Sequence, residues 1–205
     1  MTHWRRLRFW YEQSALGGVW NWLLSHLAKQ NKVKLQTTSL DGSLVPSFGF
    51  SQTTGYSGKH NQTGIKVSSI VEENGFPLCA MFAPGNIHDL DLAVATVGKV
   101  KVGKRTRPEI VLADKGYDSV PFRRSLRSRG IRANIPERQY SHRRKRGRPP
   151  KYDQELGKKR YTVERTNAWW KSFRRLHFRF DRYLSSFEAL FTLGAIVICV
   201  RRLVV

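Results

Sequence analysis

The sequence predicts an α/β domain built on a mixed β-sheet, preceded by a short helical segment. Three observations predict it. Alternating, β-forming stretches come first, and strand-like and helix-like stretches then alternate, which is the order of a sheet covered by helices. The 205 residues give room for one full domain and a small appendage. Hydrophobic residues make up 40% and charged residues 25%, proportions that exclude wholesale disorder.

Residues 4–29 have helical periodicity. Trp4, Leu7, Trp10 and Tyr11 share one face, and Val19, Leu23, Leu24 and Leu27 share another after a break expected at Gly17-Gly18. Their tryptophans fit packing against a neighbouring surface. Val33 to Leu40 alternates and is expected as the first strand, ending at Asp41-Gly42-Ser43. A polar, glycine-rich stretch, Ser47 to Gly64, separates it from two further strands, Ile65–Val71 and Leu78–Phe82, joined by a turn at Glu72-Glu73-Asn74-Gly75. His88–Val97 is expected as a helix, Ile110–Ala113 as a short buried strand ending at Asp114, Ser119–Arg129 as a helix and Ile131–Ile135 as a strand. Gln139–Lys151 is a basic linker containing proline and glycine, followed by a helix over Lys158–Arg175 and an apolar helix over Ser185–Leu203. Two units follow from this order: 1–32, helical, and 33–205, which holds the sheet.

Charge separates the chain into unequal parts. The protein has 37 Lys+Arg against 15 Asp+Glu, a net charge of +22. Residues 99–205 carry 29 basic and 9 acidic residues, whereas residues 33–98 carry 3 and 5. A self-contained core has no use for such repulsion, and a polyanionic partner, above all nucleic acid, explains it. An anionic membrane surface explains it less well. The run Ala189–Val200 is shorter than the roughly 20 residues that span a bilayer, and Met1-Thr2-His3-Trp4-Arg5-Arg6 leads into no signal-peptide core. Cys79 and Cys199 lie in apolar surroundings and read as buried thiols in a reduced compartment. A cytoplasmic, nucleoid-associated protein without a membrane partner is therefore expected.

Acidic residues are scarce in such a chain, so three of them stand out. Asp41 and Asp114 are expected at strand ends, where α/β sheets build their sites. Glu164 lies on a basic helix among Arg160, Arg165 and Lys171. Each has a plain explanation when taken alone. Asp41-Gly42 is a common turn pair, Asp114 can open a turn, and Glu164 can pair with Arg160 one turn earlier. Together, three carboxylates on a basic domain suit hard divalent cations such as Mg²⁺, which prefer oxygen ligands.

These residues also carry a family resemblance. Asp41-Gly42-Ser43, Gly85-Asn86-Ile87-His88-Asp89 and Ala113-Asp114-Lys115-Gly116-Tyr117-Asp118-Ser119 are similar, in order, to segments of the DDE transposases of prokaryotic insertion sequences. Arg160, Glu164 and Lys171 match the spacing of that family's Tyr-x2-Arg-x3-Glu-x6-Lys signature. Gly157 stands at the signature's tyrosine position, with Tyr161 out of register. The resemblance covers residues 33–205. It implies a ribonuclease-H-like mixed sheet flanked by helices, with Asp41, Asp114 and Glu164 as catalytic ligands of two Mg²⁺ or Mn²⁺ ions. It further implies cleavage of the phosphodiester at an element's end, followed by attack of the freed 3′-hydroxyl on target DNA. Arg160, Lys171, Lys115 and Arg165 are the expected DNA contacts. The family analogy also implies a homodimer on DNA, holding two element ends.

Lys145-Arg146-Gly147-Arg148-Pro149-Pro150-Lys151 resembles an AT-hook, which would place Arg146 and Arg148 in the minor groove of A·T-rich DNA. A solvated basic loop touching phosphates is the simpler reading. His88, Asp89 and Asp91 read as helix-start residues, and His60 as a surface or phosphate contact. Residues 1–32 read as the remnant of an N-terminal DNA-binding region, so the chain is expected either as the catalytic half of a frameshifted gene, joined to an upstream-frame polypeptide, or as a decayed copy. A catalytically silent DNA-binding regulator of the element is the alternative function, and a metal-dependent nuclease without transposition is a third.

Overall fold

The computed structural model describes residues 2–138 and 150–203. Two helices, α1 (His3–Glu12) and α2 (Ala15–Lys29), lead into a six-stranded sheet. Its strands are β1 (Thr37–Pro46), β2 (Gly55–Ser57), β3 (Gln62–Glu72), β4 (Pro77–Pro84), β5 (Ile110–Leu112) and β6 (Arg132–Asn134). Between and after them come α3 (Asp89–Gly98), a 3₁₀ turn at Lys115–Tyr117, α4 (Val120–Ser128), α5 (Gln154–Lys158), α6 (Tyr161–Ser172), α7 (Arg174–His177) and α8 (Leu184–Arg201).

The main spatial order is β4-β3-β1-β5-β6, with β2 continuing the β4 edge against the start of β3. β3 is antiparallel to both β1 and β4, whereas β1, β5 and β6 run parallel. This is a mixed, ribonuclease-H-like sheet. Its parallel half forms because α3 and α4 are long enough to return the chain to the same edge.

Helices cover both faces, and the two-residue period of the strands decides what meets each of them. Leu40 of β1 and its partner Ile70 of β3 join Ala93 and Val97 of α3 and Phe122 and Leu126 of α4 in one cluster. Val45, Ile65 and Val67 join Trp170 of α6, Leu176 of α7 and Phe187, Phe191 and Ala195 of α8 in the other. Adjacent serines on β3 show the alternation. The Thr96 hydroxyl of α3 donates to Ser68 Oγ at 2.8 Å, and Ser69 donates to Asn167 Oδ1 of α6 at 2.9 Å on the opposite face.

The N-terminal helices pack onto the body of the fold. Leu23, Leu24 and Leu27 enter the first cluster, Trp20 Nε1 donates to the Pro77 carbonyl at 3.2 Å, and Tyr11 donates to Glu188 of α8 at 3.0 Å. α8 has the length and apolarity of a membrane-crossing helix, but half of it is buried within the fold. Phe187, Phe191, Ala195, Ile198 and Cys199 are all covered, which accounts for its composition as that of a core helix.

Four expectations are corrected. The break between the first two helices falls at Gln13–Ser14, where Ser14 takes a left-handed conformation, while Gly17 and Gly18 lie inside α2. The first strand does not end at Asp41-Gly42-Ser43. It runs to Pro46, because β3 pairs with it continuously from Thr38 to Pro46 and long-range pairing overrides the turn preference of Asp-Gly. The stretch 47–64 is not all loop, since it contains β2 and the start of β3. The helix expected over 158–175 is divided into α5, α6 and α7.

The β3–β4 turn holds a buried acid. Glu72 accepts from the amides of Asn74 at 2.7 Å and Phe76 at 3.1 Å, and Gly75 adopts a positive φ of 93° to close the turn. Burial nevertheless pushes the Glu72 carboxyl up to about 7. The native state therefore binds a proton that the unfolded chain has released, so stability falls as pH rises from about 4.5 to about 7 and levels off above it. Glu72→Gln is expected to flatten the pH dependence of Tm between pH 5 and 8. An unchanged slope in a thermal-melt series would show that Glu72 is not its source.

Candidate catalytic site

The site begins with two neighbouring residues of β1 that point to opposite faces. Asp41 is paired with Ser69 and shares the α6 face, while Gly42 is paired with Ser68 and shares the α3 face. The parallel register aligns Ser39 with Leu112 of β5, so Asp114, two residues past Leu112, emerges beside Asp41. Asp114 caps the 3₁₀ turn, its Oδ1 accepting from the Gly116 amide at 2.8 Å. That bond fixes the carboxylate at the strand's end.

Glu164 comes from the first turn of α6. The helix buries Thr162, Val163, Thr166, Asn167 and Trp170 against the sheet and leaves Glu164 about half exposed at its start. Arg160, just before the helix, bridges the group: it is ion-paired with Glu164 and its Nη1 lies 3.9 Å from Asp41 Oδ1. The Asp41 carboxyl is pushed up to about 6, chiefly by burial and also by the charges of Asp114 and Glu164, against the pull of Arg160 and the Gly42 amide. Asp41, Asp114, Glu164 and Arg160 thus form one electrostatic unit.

No group of three carboxylates, imidazoles or thiolates is close enough to clasp a metal ion among the described residues. Glu164 is instead turned to Arg160. The donor chemistry still fits a hard cation. The set is all oxygen, and the partly buried Asp41 is raised by burial and then by its two acidic neighbours, so a cation there would offset charge that Arg160 only partly balances.

The other face of Gly42 supports the site from behind. A Cβ at position 42 would collide with the Asp89 carboxyl, with Cγ at 2.8 Å, and would lie 3.3 Å from the Tyr117 hydroxyl. Lys66 Nζ pairs with Asp89 at 3.1 Å and donates to the Ile87 carbonyl at 2.6 Å, pinning the start of α3 under β1. The Tyr117 hydroxyl is buried, and its pKa is raised by burial and then by Asp89, Asp41 and Asp114, which keeps it protonated. His88 and Asp89 do open α3, as helix-start residues should, with His88 Nδ1 accepting from the Leu90 amide at 3.2 Å. The sequence reading missed that Asp89 also reaches the back of the site with Tyr117 and Lys66. The Asn-x-His-Asp segment was the signal that could have found it.

The expected DNA-contacting residues are spread differently. Lys115 is exposed beside Asp114. Lys171 lies two turns along α6 from Glu164 and on the same stripe. Arg165 turns to the β3–β4 turn, with Nη2 3.3 Å from the Asn74 carbonyl, and lies over the rings of Tyr161 and Trp169. Arg146 and Arg148 fall outside the described residues. At Gly157, the signature's tyrosine position, a side chain would run into the Tyr152 ring, whose Cζ lies 2.8 Å from where its Cβ would be.

The family profile described as "Transposase DDE domain" matches residues 33–200, which include all three carboxylates. The chain belongs to this family. It is also 36% identical over 142 residues to a protein named as transposase of insertion sequence element IS402 in Burkholderia cepacia. That match covers 66% of this chain, and the chain spans 63% of the relative's length. A cryo-EM structure of piggyBac transposase in a synaptic complex with hairpin DNA superposes with a TM-score of 0.48 and 15% identity, over 80% of this chain and 45% of that one.

Gly42→Ala tests the packing behind the carboxylates. The methyl group must displace Asp89, so about 1–3 kcal/mol of stability is expected to be lost. Denaturant unfolding reads the loss. An unchanged midpoint would show that the close approach at Gly42 is dispensable.

Proposed function

We propose that this chain catalyses metal-dependent DNA cleavage and strand transfer for an insertion sequence, with Asp41, Asp114 and Glu164 holding two Mg²⁺ or Mn²⁺ ions. The observation that carries the reading is that Asp114 and Glu164 both lie near enough to Asp41 to act on its charge, with Arg160 between Asp41 and Glu164 and each acid delivered by a different part of the fold. When bound, such ions supply charge stabilisation at both the attacking and leaving oxygens of an in-line phosphoryl displacement.

The chain's own residues set up the rest. Asp41 lies on β1 and Asp114 just past the end of the parallel strand β5, so the strand register and the Asp114 cap of the following turn together set their positions. Glu164 is free to leave Arg160, because it is about half exposed at the start of a helix. With Glu164 serving as a ligand of such an ion, the Arg160 guanidinium would be available to hold a phosphate in a forked geometry. Lys171 and Lys115 flank the same carboxylates and add positive charge for the DNA backbone. Arg165 contributes from the Asn74 side, and Arg146 and Arg148 contact DNA from the linker.

The same reading includes two copies of the chain on two element ends and action on nucleoid DNA in the cytoplasm. Joining to an upstream-frame polypeptide is compatible with it.

A plasmid carrying the DNA that flanks the gene provides that experiment. Nicking at the flanks in Mg²⁺ or Mn²⁺ is expected from the wild type, with loss of more than about 100-fold in Asp114→Asn. Binding should weaken with salt, log K falling by about 0.9 per phosphate neutralised. Tight, salt-sensitive binding with no nicking, alone or with the upstream frame fused on, would instead identify a catalytically silent DNA-binding protein.

A further inference from the structure

Away from the carboxylates, just past the end of β1, lies a cluster of four phenylalanines, three of them exposed and Phe178 half-buried. Phe48 and Phe50 come from the loop after β1, and Phe178 and Phe180 from the segment between α7 and α8. Phe48 stacks on Phe50 at 5.3 Å with 11° between the planes, and meets Phe178 and Phe180 edge-on at 5.0 and 5.6 Å. The rings remain open to water, with Phe50 65%, Phe48 43% and Phe180 44% exposed. Tyr56 and Tyr183 are exposed large aromatics of the neighbouring segments.

The shelf is rigidly mounted. The Arg179 amide donates to the Pro46 carbonyl at 2.8 Å, the Gln52 amide donates to the Arg182 carbonyl at 2.8 Å, and Ser47 forms a parallel bridge with Arg179. The Arg179 side chain is fully buried beneath, its Nε donating to the Asp181 carbonyl at 3.1 Å. These bonds clamp both segments, so the rings are held in place before any partner arrives.

The surroundings select the partner. Residues 174–183 include Arg174, Arg175, His177 and Arg182, all exposed, and a single acid, Asp181, which is buried. An apolar face rimmed by cations repels a second copy of itself and attracts a polyanion that also offers flat apolar faces. Single-stranded nucleic acid has that combination, since a base exposes its π-face only when unpaired, and stacking platforms set in basic grooves are how such strands are held.

We infer that the Phe48–Phe50–Phe178–Phe180 shelf stacks unpaired nucleobases of DNA, with the exposed Arg174 and Arg182 on the adjoining phosphates. The inference rests on the reading that this chain acts on DNA, and it deepens that reading by assigning a site for strands opened near the cut. Phe48 lies seven residues beyond Asp41 along β1, about 23 Å in extended chain, so one DNA molecule can reach both.

Equilibrium binding to an oligothymidine and to a mixed-sequence duplex, with wild type, Phe50→Ala and Phe50→Leu, tests the shelf. Both variants are expected to bind the single strand about tenfold more weakly, with duplex affinity and the slope of log K against log salt unchanged. A 2-aminopurine placed in the single strand should be quenched by the wild type and less by either variant. Equal losses on both DNAs, no loss on either, or a Phe50-dependent dimer in sedimentation without DNA would overturn the proposal, the last pointing to a contact between copies. Nicking by the wild type is read separately: a shelf that works on a chain that never cuts sinks the catalytic reading alone, and cutting without Phe50 dependence sinks the shelf alone.

Discussion

Strand β1 is hydrogen-bonded on both edges, to β3 over its length and to β5 at its start. A strand held in this way cannot slip by one residue without exchanging every side chain between the two helical layers. That constraint puts Asp41 towards α6 and Gly42 towards α3. It also sets Asp114 beside Asp41, because the parallel register carries the end of β5 to that height. The carboxylate site is thus a consequence of sheet register. The loops around it serve mainly to bring Glu164 and Arg160 to a position the strands have already defined.

Charge is the second term. The chain carries a large excess of cations, yet it gathers Asp114 and Glu164 near Asp41, where burial and then their charges disfavour ionisation of Asp41. Placing acids together is costly unless a counter-charge arrives. In the protein alone Arg160 provides it incompletely, standing 3.9 Å from Asp41 while pairing with Glu164. The arrangement therefore stores a demand for positive charge inside a domain that is otherwise rich in it. This is how a strongly cationic chain can also gather acids at one place.

Much of this was legible from residue order. Periodicity located α3, α4, α6 and α8, and the β-rich runs located β1 and β3 to β6, because those elements are driven by burying one face. The three carboxylates could be selected because acids are rare in the chain and stand at motif positions. What could not be read was set by pairing across the sheet. Asp41-Gly42-Ser43 has the local chemistry of a turn, and only β3 opposite it makes it strand. Asp89 looked complete as a helix-start acid, since its second role depends on the missing side chain at Gly42 and on Lys66 from another strand.

Arg165 shows why nearness in sequence is a poor guide to membership in a site. It follows Glu164 directly, but successive helical residues differ by about 100° around the axis. Glu164 therefore looks out at Arg160 while Arg165 lies against the β3–β4 turn, its guanidinium near the Asn74 carbonyl and over Trp169. Gly75 closes that turn with its left-handed backbone, and Thr166 donates to the Gly75 carbonyl at 3.0 Å. Arg165 and Thr166 thus tie α6 to the hairpin of β3 and β4. That tie helps set the angle at which Glu164 is presented to Asp41.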